Sequence, residues 1–331
     1  MKTLISSFAL LFLSTSLFGD TLITKERKEV ADYLQDISVT IRSEDDYSKS
    51  EGSGVLISRK IDGENVTFVW TCAHVVDNLR NVRTVIQKGA PVKVVEFDDV
   101  QIIKELVENG RRVGEVKMDA VVLKYSDADD AEDLALLMVR AKDYGKASTK
   151  FYLNTKEPII PIGTQLFHVG SLLGQMGSNS MTSGIISQVG RIYGKVEFDQ
   201  TTVTAFPGSS GGGVFLEDGR YVGMIVRGAG EGFNLTVPIR RLVRFAKKHD
   251  IMWAVDPSLP MPTMDEINAL PLEAAPGEEE EEKVKKTKGK RSSDFEKTFP
   301  HLIRVTGTDV EELESLEYDP TKKAEIKKLV K

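Results

Sequence analysis

The chain opens on an apolar run. Thr3 to Leu13 is mostly hydrophobic behind a short positive start, Met1-Lys2, and the small residues Ser14, Thr15, Ser16 and Gly19 follow it. That order is the layout of an export signal, expected to span 1–19, and the run falls short of the ~20 apolar residues that a membrane helix needs. Val30, Leu34 and Ile37 then recur at near-helical spacing, while Ile37-Ser38-Val39-Thr40-Ile41 alternates apolar and polar as a strand does. Glu51-Gly52-Ser53-Gly54 leads into the apolar Val55-Leu56-Ile57. After a polar turn at 60–65 comes a second strand, Val66-Thr67-Phe68-Val69-Trp70-Thr71, which makes a hairpin. Further strands are expected over 82–95 and 114–123. A short helix is expected over 100–109 from Ile102, Ile103, Leu106 and Val107. Another apolar strand follows Asp133, over Leu134-Ala135-Leu136-Leu137-Met138-Val139. Behind Pro238, which suits a first helical position, Ile239, Leu242, Val243 and Ala246 fall at i, i+3, i+4 and i+7. This predicts a closing helix packed on the second half of the fold with its basic face solvated.

From about Val255 the pattern breaks down. Pro257, Pro260, Pro262, Pro271 and Pro276 interrupt regular structure, Glu278 to Glu282 is an unbroken acidic run, and the stretch from Lys283 to Arg291 is basic. Such a segment buries too little apolar surface to order itself, so 254–331 is expected to be a charged, mostly disordered tail. Composition adds little to this picture. With 331 residues, 40% hydrophobic and 28% charged, the chain is an ordinary globular one, and a net charge of -6 argues against general nucleic-acid binding. A single cysteine, Cys72, allows no intrachain disulfide. The histidines number four and lack metal-ligand spacing, so neither a metal nor a cofactor is implied.

Candidate chemistry gathers at three places. Phe206-Pro207-Gly208-Ser209-Ser210-Gly211-Gly212-Gly213 is a turn of small residues whose backbone is free to take angles that other residues avoid. A serine held there, with main-chain N–H groups beside it, has what an acyl-transfer nucleophile needs. His74 follows Thr71-Cys72-Ala73 at the end of a strand, and Asp133 opens an apolar strand that draws it inward, unlike the more solvated Asp127, Asp129 and Asp130. Alone, each has a bland reading: a flexible Gly/Ser loop, a packed or capping histidine, one acid of an acidic turn. Cys72 reads as a small buried hydrophobe and His168 as a core residue.

Together these residues resemble the chymotrypsin-like serine proteases. Gly208-x-Ser210-Gly211-Gly212 is similar to their G-x-S-G-G, Thr71-Cys72-Ala73-His74 to T-A-A-H with Cys72 in place of an alanine, and Asp133-Leu134-Ala135-Leu136 to D-L-A-L. Thr182-Ser183-Gly184-Ile185-Ile186-Ser187, the strand from Asp218 to Ile225, and Gly230-Glu231-Gly232-Phe233-Asn234 resemble the bacterial HtrA (Deg) branch over roughly residues 35–248. The tail lacks the pattern of that branch's PDZ domains. The resemblance implies an all-β fold of two six-stranded barrels in a domain over 24–253, divided near 145–155. It implies Ser210 as nucleophile, His74 as general base, Asp133 as its orienting acid, and the Gly208 and Ser210 amides as the oxyanion hole. Thr204 would floor the S1 pocket, with Val226 and Arg227 in its wall, which favours a small aliphatic P1 residue and, more weakly through Arg227, an acidic one. The expected activity is a serine endopeptidase acting on exported or unfolded polypeptides in the periplasm or outside the cell. It would have no nucleic-acid partner and no membrane span once the signal is removed, and an oligomer is compatible with the reading. The alternatives are a catalytically impaired binding or chaperone module, a processing protease that cleaves one partner or its own tail, and a resting site whose loop over 170–190 awaits an activator.

Overall fold

The computed structural model describes residues 28–272, with interruptions at 45–47, 88–89, 109–110, 128–131, 194–195 and 229–231, together with residues 303–304. The expected export signal and most of the expected tail lie outside the described residues. Helix α1 (residues 28–36) comes first. Next come β1 (Ser38–Glu44), β2 (Lys49–Ile61), β3 (Glu64–Thr71), β4 (Arg80–Gln87), β5 (Ala90–Phe97), β6 (Val100–Glu108), β7 (Arg111–Ser126) and β8 (Leu134–Val139). Six of these strands close into a barrel in the order β1-β2-β3-β8-β7-β6, while β4 and β5 form a hairpin of their own. The residues expected to form a helix over 100–109 are instead the strand β6. It pairs with β1 through Thr40↔Ile103 and with β7 along its length. Val100, Ile102 and Ile103 are buried, and pairing on both sides overrides the local helical spacing. The hairpins β4–β5 and β6–β7 account for the 59 positions between His74 and Asp133.

The second half contains β9 (Gln165–Leu172), β10 (Gly177–Tyr193), β11 (Val196–Thr201), β12 (Gly213–Leu216), β13 (Tyr221–Gly228) and β14 (Asn234–Pro238). They run in the order β12-β9-β10-β11-β14-β13, and a pairing of β12 with β13 joins the ends. A short strand β15 (Ile303–Arg304) lies on β13. Ile160, Leu166, Ile186, Val203, Val214, Val222 and Ile225 form a core of their own within this half, apart from the larger cluster that runs through the molecule. Closing each half on itself leaves few free strand edges.

Helix α2 (Ile239–Lys248) differs from expectation in two ways. It spans both halves: Phe245 meets Trp70 of β3 edge-to-face at 6.2 Å, and the Trp70 indole N–H donates to the Ala254 carbonyl at 2.9 Å. Its basic face is also not simply solvated. Arg241 is 1% exposed and donates to Glu132 and to the Glu197 carbonyl, and Arg240 makes four bonds of 2.6–2.9 Å to Glu197 and Asp199. Buried cations need such partners, and Arg241 clamps the Glu132 loop of the first half to the second. The ordered chain also continues past 254. Phe68 packs on Trp253 at 4.9 Å, and α3 (Met264–Asn268) is opened by a Thr263–Glu266 capping box. The Leu272 carbonyl accepts from Tyr125 at 2.8 Å. Among the described residues no helix is long and apolar enough to cross a membrane.

Candidate active site

β3 ends at Thr71, and a 3-10 turn over Ala73–Val75 carries His74 into the interior, where it is 6% exposed. Asp133 sits immediately before β8 with a left-handed φ of 52°, a conformation that aspartate tolerates better than most residues. Its amide N–H donates to the Asp127 carbonyl at 3.3 Å. The turn aims the carboxylate at His74: Nδ1 lies 2.9 and 3.0 Å from the two oxygens, and the His74 amide N–H donates to Oδ1 at 3.1 Å. Burial pushes this carboxyl's pKa up. The charge and hydrogen bonds of His74, with Arg227 adding to them, outweigh burial and hold it well below the usual range. An ionised Asp133 places the ring proton on Nδ1 and leaves Nε2 as the acceptor.

The serine comes from the other half. Gly208 has a φ of 95° and Gly211 of 83°. A Cβ on Gly208 would stand 2.2 Å from the Ser171 carbonyl oxygen, and one on Gly211 2.2 Å from that of Ser53, so only glycine fits at either place. The turn is fixed by Ser209 N–H to the Phe206 carbonyl, Gly212 N–H to the Ser209 carbonyl and Gly211 N–H to the Ile225 carbonyl, at 2.8–2.9 Å. The Leu173 amide, from the loop after β9, donates to the Pro207 carbonyl at 2.7 Å. Among the described residues no hydrogen bond engages the amides of Gly208 or Ser210. Ser210 is wholly buried, and neither its Oγ nor His74 Nε2 has a hydrogen-bond partner there. The packing around the turn encloses it.

Ser53, on β2, was not singled out by sequence. Its amide donates to the Ser210 carbonyl at 2.7 Å and its Oγ to the Gly208 carbonyl at 2.7 Å. The same Oγ accepts from the Ser171 amide at 2.8 Å, and its carbonyl accepts from Thr71 Oγ1 at 2.8 Å. Ser53, through both side chain and backbone, therefore ties the serine turn of the second half to Thr71 at the end of β3. The only sequence signal was a small polar residue between two glycines at the mouth of an apolar strand.

The remaining candidates fall around this centre. Thr204 is half-buried, with its carbonyl accepting from Thr182 Oγ1 at 2.8 Å. Val226 is fully buried and Arg227 is 5% exposed. Cys72 is buried as expected, its thiol donating to the Ile225 carbonyl at 3.3 Å, with its pKa raised by burial and then by Asp133. Ligand atoms of Cys72, His74 and Asp133 lie within 4.8 Å of one another, but His74 Nδ1 is engaged by Asp133 and the thiol is held protonated. His168 is core: its Nδ1 donates to the Gly213 carbonyl at 2.9 Å.

Residues 52–224, more than half of the chain, match the trypsin-like peptidase domain. The chain belongs to that family. Outside the matched stretch, β1 and β14 complete the two sheets, and α2 packs across both halves. The chain is 32% identical over 200 residues to a probable periplasmic serine endoprotease, DegP-like, of Halomonas elongata. That match covers 58% of this chain and 33% of the relative, so the chain spans about a third of that protein's length. Among solved structures it is similar to an HtrA-type protease solved with a tripeptide (19% identity, TM-score 0.48, 68% of this chain and 63% of the other). It is also similar to a serine endoprotease from Yersinia pestis (19%, TM-score 0.47, 67% and 65%).

Proposed function

We propose that this trypsin-like domain is a working serine endopeptidase in which Ser210 attacks the scissile carbonyl and His74 takes its proton. His74 later returns that proton to the leaving amine, and Asp133 holds the ring in one tautomer and offsets its positive charge. The Gly208 and Ser210 amides stabilise the oxyanion, one such donor being worth roughly 2.7–4 kcal/mol. An acyl-enzyme forms on Ser210 Oγ and water releases it. The observation that carries this reading is the buried, doubly hydrogen-bonded His74–Asp133 pair, which leaves Nε2 without a partner among the described residues, on a segment whose Cys72 amide lies against Gly211 of the serine turn. The absence of a Ser210–His74 hydrogen bond is compatible with it, because such bonds are often long before substrate binds.

Substrates are polypeptides of an exported compartment. The signal-like first 19 residues support that location, as does the likeness to a protein named as periplasmic. Thr204 floors a small, uncharged S1 pocket that takes aliphatic side chains. Arg227 weighs less as an anchor for acidic side chains, since its charge already acts on Asp133. The test is labelling of the full chain with a fluorophosphonate, followed by peptide mapping, beside a casein cleavage assay. Modification of Ser210 together with casein turnover is expected. Casein turnover with Ser210 unmodified would overturn the assignment, and absence of both would favour the impaired binding module.

A further inference from the structure

Strand β13 is covered unevenly on the side facing the serine turn. Its first half pairs with β12, through Gly213↔Met224, Val214↔Gly223 and Phe215↔Tyr221. β12 begins at Gly213, because the chain before it bends away into the Ser209–Gly212 turn. Past Met224, that edge of β13 is taken up by β15: Arg227 pairs with Arg304 and Gly228 with Ile303, antiparallel. The opposite edge belongs to β14, which pairs with Arg227 and Gly228 through Leu235 and Asn234. β15 thus continues the line of β12, with the serine turn in the gap between them. From Met224 to Arg227 is three positions, ~10 Å along a strand. Ile225, between them, is bonded to Gly211, the neighbour of Ser210.

We infer that the Arg227–Gly228 edge is a peptide-docking edge whose occupant is the chain's own segment around Ile303–Arg304, which competes there with polypeptide substrates. This rests on the reading of Ser210 as nucleophile. An open strand edge beside a reacting serine accepts any extended backbone, because the main-chain bonds ignore side-chain identity. The segment has the right composition: Leu302-Ile303-Arg304-Val305 is a strand-forming run within a tail otherwise dominated by charge. The chain from Leu272, the end of the continuous fold, to Ile303 covers 31 positions, and extended chain spans up to ~3.3 Å per residue, ample to return to the site. Because the occupant is tethered, its local concentration is in the millimolar range, enough for a weak strand contact to matter.

The experiment compares the full chain with the full-length double variant Ile303→Pro/Arg304→Pro, which removes two amide donors from β15 and leaves both barrels intact. Amide hydrogen exchange is read over residues 225–228, and KM is measured on an unstructured peptide substrate. Faster exchange at 225–228 in the variant is expected, with KM lowered about fivefold or more and kcat little changed. A synthetic peptide of residues 299–308 added to the variant should restore both protection and the higher KM. Identical exchange in the two chains would overturn the docking. Altered exchange with an unchanged KM would overturn the competition. If neither chain hydrolysed substrate, the endopeptidase reading would fall, while exchange and the added peptide would still decide whether the tail occupies the edge.

Discussion

The two halves of the site are built by different means. In the first barrel, His74 and Asp133 hold each other: three contacts of 2.9–3.1 Å link them, all made within that barrel. In the second, Ser210 has no side-chain partner among the described residues, and its turn is held by bonds within that half and, in addition, by Ser53 of the first barrel. The half proposed for acid–base work is therefore preset by local folding. The half proposed to carry the nucleophile leans in addition on the other barrel. The docking of the two barrels is made by Ser53, by Arg241 reaching Glu132, and by Phe245 against Trp70. A device that loosens the interface would disable the serine turn before it disturbed the His–Asp pair.

The largest test of this contrast is Ser210→Ala. Peptide hydrolysis should fall on the order of 10⁶-fold in kcat, the scale seen when a triad nucleophile is removed from a subtilisin-type enzyme. Thermal stability should stay level or rise slightly, because the hydroxyl lost is buried and without a partner. A drop of several degrees would show that Ser210 Oγ has a structural bond after all. Asp133→Asn comes next, with about 10⁴-fold lost in kcat because the amide no longer selects the Nδ1 tautomer. Here stability should fall as well, since the carboxylate accepts from both the ring and the amide of His74. Kinetics paired with urea unfolding of the two variants would separate the halves, one losing activity alone and the other losing both.

Ser53→Ala probes the link itself. It leaves the Gly208 carbonyl and the Ser171 amide without their buried partner, at a cost of about 1–3 kcal/mol. We expect kcat to fall about 10- to 100-fold with KM nearly unchanged, because the Gly208–Ser209 peptide, next to the Gly208 amide proposed as an oxyanion donor, loses its anchor. The His74–Asp133 pair should be untouched, which the downfield imidazole N–H signal in proton NMR can report. Loss of that signal in Ser53→Ala would erase the distinction drawn between the halves.

What was legible in the sequence follows the same division. His74 and Asp133 could be found because each stands at the end of an apolar strand, and Ser210 because its turn needs glycine at Gly208 and Gly211. Those are local signals. Ser53 and Gly208 lie 155 positions apart and Arg241 and Glu132 lie 109 apart, and no periodicity marks either pair. β6 was misread for a related reason. Ile102, Ile103, Leu106 and Val107 fit a helical stripe, and only the flanking strands β1 and β7 make the alternate reading the stable one. The Arg240 and Arg241 pairings were hidden because basic residues on an amphipathic helix look alike until their acids are placed. The composition break near 255 was visible, but composition says nothing of the ring that Trp253 lays on Phe68, which keeps the next residues in the fold.

The smallest expected effect is a pH dependence that should touch the two halves in different windows. His168, fully buried under the serine turn, has its pKa lowered by burial to about 4, partly offset by its hydrogen bond to the Gly213 carbonyl. In the unfolded chain a histidine titrates near 6.5. Between these values the unfolded state binds more protons, so stability is full above about 6.5 and declines as pH falls towards 4, by up to ~3 kcal/mol for the one group. His249 is lowered to about 4 as well, chiefly by burial and then by Lys124 and Lys248, and adds in the same direction. Asp133 acts lower down. Its folded pKa lies below the unfolded carboxylate value, so its contribution is present above about 3.9 and is lost only as pH falls further. The second barrel should therefore weaken first on acidification, while the His74–Asp133 pair persists. His168→Gln keeps a donor for Gly213 and removes the titrating group. Urea midpoints measured from pH 7 to 4 should show a shallower decline in that variant than in the parent. Parallel curves would mean that His168 takes up its proton equally readily in the folded and the unfolded chain, so that burial does not lower its pKa.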